Sequence, residues 1–305
     1  MAGQRTAAGK KKAKRRVQSY AFIDTNIFLD FYRGKTEATL SLLNKLEAAR
    51  DRVICTYQVE MEFLKNRQEQ IKKILSDASL SIDASLPAVF ADSHLNTSVR
   101  NIKAETAKRN KQLKERILRL LQNPGQNDRV FQTLDSIFKN PSQHVLTRDM
   151  QVRHRIKRLA WRRFVLGYPP RKAKDNSIGD ALNWEWIIHC ANELPGRFYI
   201  VSKDSDFGCE HMGQYVLNDQ LKAEFRDRVG RKSIRFTHKL SEALEALHVP
   251  VTAKEKESEA ERRITPSDFL ERLRQVMAVH KEGSKDSGPL SQAFAALADV
   301  DEEKE

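Results

Sequence analysis

The chain has 305 residues, with 54 Lys and Arg against 41 Asp and Glu and only 12 Gly and 9 Pro; its length allows one large domain or two small ones, and its composition reads as helix-rich. With 40% hydrophobic residues it can bury a sizeable core, which excludes collagen-like and wholly disordered chains. No apolar stretch approaches the roughly 20 residues that cross a bilayer, and no apolar signal-peptide core follows the basic start, so the expectation is a cytoplasmic protein that makes no membrane contact.

Residues 1–18 carry seven Lys or Arg and no acid, and read as a disordered basic tail. Tyr20-Ala21-Phe22-Ile23 is a short apolar run that stops at Asp24, after which Ile27-Phe28-Leu29 resumes, as in a buried strand feeding a helix. Val53-Ile54-Cys55-Thr56 repeats the pattern before a helical stretch from about Gln58 to Leu75. From about 66 to 166 strand signals fade and Leu113, Ile117, Leu120 and Leu121, then Ile156, Leu159 and Ala160, recur at helical spacing, so this span reads as a helical insertion. Phe198-Tyr199-Ile200-Val201, Tyr215-Val216-Leu217 and Ile234-Arg235-Phe236 are further strand candidates, the last leading into a helix near 239–247. Strands alternating with helices, each strand a continuous apolar run, predict an α/β fold with a parallel sheet covered on both faces over 19–248. Residues 249–305 change to mixed charge and read as a linker and tail with a short helix at about 266–279. The three cysteines, Cys55, Cys190 and Cys209, lie far apart and are expected to be reduced and buried.

The positive charge is segregated. Residues 100–174 hold 20 Lys or Arg against five acids, so that, with the basic tail set aside, the remainder is net acidic. Such segregation fits a partner that carries phosphates. A helix from about Thr147 to Leu166 would align Arg148, Arg155, Arg158 and Arg162 in one ridge; these, with Arg171, Lys172 and Lys174, are the candidates for phosphate contact.

Carboxylates stand where strands end. Asp24 follows the first strand, Glu60 and Glu62 open the helix after the second, Asp180 starts a helix at Gly179-Asp180-Ala181, and Asp204 and Asp206 follow Ile200-Val201. In a parallel sheet all strand carboxyl ends share one edge, where α/β folds place their ligands. Converging acids repel one another unless cations neutralise them, and hard oxygen donors suit Mg²⁺ or Mn²⁺. Glu60 and Glu62 point about 200° apart on a helix, so one of them faces the crevice. Asp175 reads as a helix cap or an added ligand. Trp184 and Trp186 also point nearly opposite ways, so at least one packs in the core.

Phe22-Ile23-Asp24-Thr25-Asn26, an acid early in the second helix, Gly179-Asp180-Ala181 and Val201-Ser202-Lys203-Asp204, in that order, resemble the four-acid signature of the PIN-domain nucleases. The strings Gln58-Val59-Glu60-Met61-Glu62-Phe63 and Asp175-Asn176-Ser177-Ile178-Gly179-Asp180 resemble a bacterial PIN-like branch, which selects Glu62 over Glu60. The resemblance implies a parallel sheet sandwiched by helices, with Asp24, Glu62, Asp180 and Asp204 holding Mg²⁺ or Mn²⁺, and Asp206 as a further candidate. Thr25, Asn26 and Ser202 would orient the carboxylates. It further implies phosphodiester hydrolysis leaving a 5′ phosphate and a 3′ hydroxyl, through water activated by metal. Compact members are much shorter between the second and third acids, so the basic helical insertion is this chain's own departure.

The leading expectation is a metal-dependent endonuclease acting on nucleic acid, RNA favoured over DNA. A non-catalytic PIN-fold scaffold and a structure-specific DNA nuclease are the competing readings. Related PIN proteins suggest a homodimer or a regulatory, antitoxin-like partner.

Overall fold

A computed structural model describes residues 17–78, 94–140, 142, 144–171 and 177–261, without the side chains of 74–78 and 94–96. The chain divides at Glu259. In chain order come β1 (Ser19–Ile23), α1 (Thr25–Leu29), α2 (Glu37–Ala48), β2 (Val53–Thr56), α3 (Tyr57–Ala78), α4 (His94–Gln122), α5 (Pro124–Asn127) and α6 (Arg129–Phe138). There follow β3 (Val145–Leu146), α7 (Val152–Leu166), α8 (Gly179–Glu193), β4 (Arg197–Val201), β5 (Gly208–His211), β6 (Gln214–Leu217), α9 (Asp219–Val229), β7 (Ser233–Thr237), α10 (Leu240–Ala246) and α11 (Ala253–Glu261). Among the described residues no helix is long and apolar enough to cross a membrane.

Five strands form one sheet in the order β3-β2-β1-β4-β7, every neighbouring pair parallel. β1 is central and buried over its whole length, which is why its sequence is continuous rather than alternating. Phe22 aligns with Ile54 on one side and Ile200 on the other, and these residues are fully buried. Leu42, Leu43 and Leu46 of α2, Phe63 of α3 and Ile187 of α8 belong to the same core. The chain passes from β1 outward to β2 and β3, then returns to build β4 and β7 on the other side. The switch in direction lies between β1 and β4, and their carboxyl ends open the crevice.

The structure departs from the sequence reading in five places. Val145-Leu146 is an edge strand inside the expected insertion; two residues are too few for periodicity to reveal, and pairing is set by backbone bonds such as Cys55 N–H to the His144 carbonyl (3.1 Å). Tyr215-Val216-Leu217 joins an antiparallel hairpin with β5, turned at Met212-Gly213, where φ is 49° and 75°. Positive φ at both turn residues matches strand twist in a two-residue loop. α7 begins at Val152, because Thr147–Met150 forms a turn in which the Thr147 N–H reaches Met150 Sδ at 3.5 Å; Arg148 therefore leaves the ridge. Cys209 is exposed where burial was expected; Trp184 and Trp186, of which at least one was placed in the core, are both buried, their ring N–H groups donating to Glu224 (3.1 Å) and the His144 carbonyl (2.9 Å).

The fifth departure is α11, where a linker was expected. Two of its four acids, Glu255 and Glu259, fold inward: Glu255 accepts from Ser41 (2.6 Å), Lys45 (2.6 Å) and the Thr252 N–H (2.7 Å), and Ser258 bonds Thr36 and Thr39. Glu259 accepts from the Leu240 and Ser241 N–H groups, supplying the cap that the start of α10 lacks. Mixed charge looks like a linker by composition; here each buried acid finds donors. The expected helix at 266–279 and the tails lie outside the described residues.

Candidate active site

Asp24 ends β1 and caps α1. Its backbone N–H donates to the Val201 carbonyl (2.9 Å), fastening it to the end of β4. The carboxylate is only 3% exposed. Its Oδ1 accepts from the Thr25 N–H (2.7 Å), and its Oδ2 accepts from Asn26 Nδ2 (2.8 Å) and the Ser202 hydroxyl. Burial pushes its pKa from 3.8 up to about 6, with the charges of Asp204 and Glu62 adding to the rise; the Ser202 and Thr25 bonds pull it down by less.

Ser202 also accepts from the Asp204 N–H (3.0 Å), and Asn26 Oδ1 accepts from the Lys203 N–H (3.3 Å). The loop after β4 is thus tied to the loop after β1 by the side chains of Asn26 and Ser202, and Asp204 is carried into position by its backbone. Lys203 is paired with Asp30 and so is turned to a structural partner.

Glu62 lies on α3, where Thr25 Oγ1 donates to its Oε2 (3.1 Å) and Gln58 Nε2 to its Oε1 (2.8 Å). A β-carbon added at Gly179 would stand 2.5 Å from Glu62 Oε1 and 2.8 Å from Gln58 Nε2. Glycine is therefore what lets α8 begin against Glu62, and Asp180 follows it in the first turn.

Asp24, Glu62, Asp180 and Asp204 line one cleft of about 310 Å³ with Thr25, Asn26, Leu29, Gln58, Met61, Lys65, Asn66 and Ser177. Glu60 and Asp206 are not among the lining residues, and Ser202 sits behind Asp24, fully buried. Asp175, Lys172 and Lys174 lie outside the described residues. Gln58, Lys65 and Asn66 escaped the sequence reading as site residues. Their signal was helical phase, since Gln58, Glu62, Lys65 and Asn66 fall within an arc of about 100°. Lys65 is exposed and, among the described residues, makes no ion pair.

The donor set is all oxygen, carboxylate and amide, and this chemistry fits a hard divalent cation. Among the described residues, however, no three His, Cys, Asp or Glu side chains stand as a group that could hold an ion. The acids line a cleft and do not close a cage.

Of the expected phosphate contacts, those on α7 stay together and Arg148 parts from them. Arg155, Arg158 and Arg162 are exposed on α7, and Arg171 is exposed with its guanidinium 4.8 Å from the Phe164 ring centre. Arg148 is exposed in the turn after β3, on the sheet's carboxyl edge. Two other arginines are committed inside: Arg67 pairs with Asp128 (2.7 Å), and Arg163, a member of the basic block, with Glu185 (3.0 Å) and Glu224.

A five-stranded parallel sheet with acids at its switch point defines an α/β fold of the nuclease-like kind. Residues 21–207 match the sequence model of the PIN domain, so the chain belongs to the PIN-domain family, whose members are generally nucleases. The matched span includes all four lining acids. No curated protein and no solved structure matches the chain.

Proposed function

We propose that the protein is a metal-dependent endonuclease that hydrolyses phosphodiester bonds in RNA. The observation that carries this reading is the convergence of Asp24, Glu62, Asp180 and Asp204 on one cleft at the carboxyl edge of the sheet. A divalent cation, Mg²⁺ or Mn²⁺, would supply a Lewis acid there that activates water and offsets the phosphate charge. Asp24, Glu62, Asp180 and Asp204 would hold it. Both lone pairs of Asp24 Oδ2 are taken by Asn26 and Ser202, whereas Oδ1 accepts one bond and keeps a lone pair for the cleft. Gln58 and Thr25 each take one lone pair of Glu62 and fix its rotation. Lys65 is the cation of the lining that would meet the phosphate.

The exposed arginines of α7, Arg155, Arg158 and Arg162, support a second reading, a non-catalytic nucleic-acid scaffold that binds without cutting. The two readings separate when labelled single-stranded RNA, structured RNA and single- and double-stranded DNA are incubated with protein in Mn²⁺, Mg²⁺ or EDTA. Metal-dependent cutting of RNA that an Asp24→Asn/Asp180→Asn double variant lacks supports the endonuclease. Cutting of DNA alone reassigns the polymer, and binding without cutting of any of them transfers the assignment to the scaffold.

A further inference from the structure

α7 presents a large aromatic side chain to solvent in the middle of its arginines. Trp161 is 57% exposed and Val165 63%, whereas the chain's other two tryptophans are 0–1% exposed. At about 100° per residue, Trp161, Val165, Arg158, Arg162 and Arg155 share an arc of about 120°. Desolvating an indole requires a partner, and leaving one on a soluble surface costs solubility, so a Trp set between cations marks a contact surface.

The surface is built and held. Trp161 stacks on Phe164 with ring centres 5.7 Å apart and an interplanar angle of 24°, and the Arg171 guanidinium lies over the same Phe164 ring. Beneath them, Arg163 is 5% exposed and donates to Glu185 at 3.0 and 3.1 Å and to Glu224. Arg228 closes the network onto Glu185 (2.7 Å) and Glu224 (2.6 Å). A buried charge network of this kind resists rearrangement, because breaking one member strands another. The indole is therefore presented by a helix locked onto α8.

The lock also sets direction. Arg163 meets α8 at Glu185, five residues, or about 7.5 Å of helix rise, beyond Asp180. The Trp161 turn thus lies along the flank of the helix that carries one of the cleft's acids.

We propose that the α7 face formed by Trp161, Arg158, Arg162 and Arg155 is a binding platform for single-stranded RNA, with a base stacked on Trp161 and neighbouring phosphates on the arginines. Flat rings interleaved with anions match an indole interleaved with guanidinium groups. Bases in a duplex are stacked on one another and present edges and phosphates, so the aromatic face is usable only by an unpaired strand. A second copy of the chain fits poorly, because a two-fold contact would set the same cations against themselves. The inference rests on the RNA reading above and specifies where and in which form the polymer is held.

The test uses the full chain in EDTA, so that binding is read without cutting, with a single-stranded 12-mer RNA, its duplex and the DNA 12-mer as probes. Because Trp161 is the exposed tryptophan, the single strand should quench indole emission and protect it from acrylamide, and the duplex should not. Trp161→Ala should weaken single-strand binding roughly 5- to 150-fold without changing its salt dependence, and Trp161→Phe should recover most of the loss. Arg158→Ala/Arg162→Ala should instead flatten the slope of log affinity against log salt by about 1.4. Equal quenching by the duplex, stronger binding of the DNA strand, or affinity within twofold in Trp161→Ala overturns the platform. So does a Trp161→Ala variant that turns a dimer into a monomer, which would give the face to a second copy. Failure to cut any substrate with metal present, beside intact quenching, would overturn the endonuclease and leave the platform standing.

Discussion

Ser202 Oγ donates to Asp24 Oδ2 across 178 positions of sequence, joining the ends of the two strands that flank the switch point. The bond does two things for the cleft. It fixes the rotation of the most buried acid, and through the Asp204 N–H it fixes the loop that brings the fourth acid.

Ser202→Ala should therefore lower Mn²⁺ affinity or cleavage 10- to 100-fold, the usual cost of removing a group that orients a metal-binding carboxylate. Calorimetric titration of Mn²⁺ checks this beside Asn26→Ala, which removes the partner bond. An unchanged affinity in both variants would mean that Asp24 needs neither strut.

The pH dependence of stability should expose Asp24. Its carboxyl is raised from 3.8 to about 6 on folding, mainly by burial, so the folded state holds the proton more tightly than the unfolded one. The stabilising contribution is complete below pH 4 and is lost as pH rises through 6. In EDTA the wild type should lose about 3 kcal/mol relative to Asp24→Asn between pH 4 and pH 8, read by urea unfolding. Saturating Mn²⁺ should restore it.

Gly179→Ala should damage the site more than the fold. The new methyl would meet Glu62 Oε1 and Gln58 Nε2, the ends of two side chains that can swing away. Cleavage should fall at least tenfold while thermal stability changes little; Gly179→Ala with Gln58→Ala should recover part of the activity by freeing space.

Lys65→Ala should reduce the salt slope of single-stranded RNA binding by about 0.7, the loss of one phosphate contact, and Lys65→Arg should keep it. Lys222→Ala, at an exposed position on α9, is the control and should leave the slope alone.

Glu255 gives the opposite pH signature to Asp24. Burial opposes its charge, but Lys45, Ser41 and Thr252 outweigh burial and hold its pKa at about 2 against an ordinary 4.5. Its contribution is present above pH 4.5 and is lost as pH falls through 2. Glu255→Gln should cost about 1–2 kcal/mol at pH 7, a gap that narrows in acid, with amide exchange of residues 253–261 rising in step.

The central strands and the helices that carry the acids were legible because each is written locally: Phe22-Ile23 stops at an acid, and a helical stretch follows Val53-Ile54-Cys55-Thr56. Helical phase left Glu60 and Glu62 open, and only the resemblance to a family pattern favoured Glu62. What was hidden depends on partners far away in sequence. Val145-Leu146 is a strand only because β2 offers it a ladder, and Glu255 is buried only because Ser41 and Lys45 wait more than 200 residues earlier. Arg148 was misplaced for a local reason, since nothing in the spacing of the arginines marks the turn at Thr147–Met150. The basic count likewise could not separate Arg163, spent on Glu185, from Arg162, left in water.

The family match stops at Phe207, yet the sheet does not. β7 supplies the strand beside β4, α10 packs under it, and Glu259 caps α10 from α11. A fragment excised at the border of sequence similarity would leave β4, which itself flanks the crevice, as a raw edge with unpaired carbonyl and amide groups. The unit that can be expressed, evolved or fused to another protein is therefore longer than the unit by which kinship is recognised, and its border lies beyond α10, at the helix that sequence composition disguised as a tether.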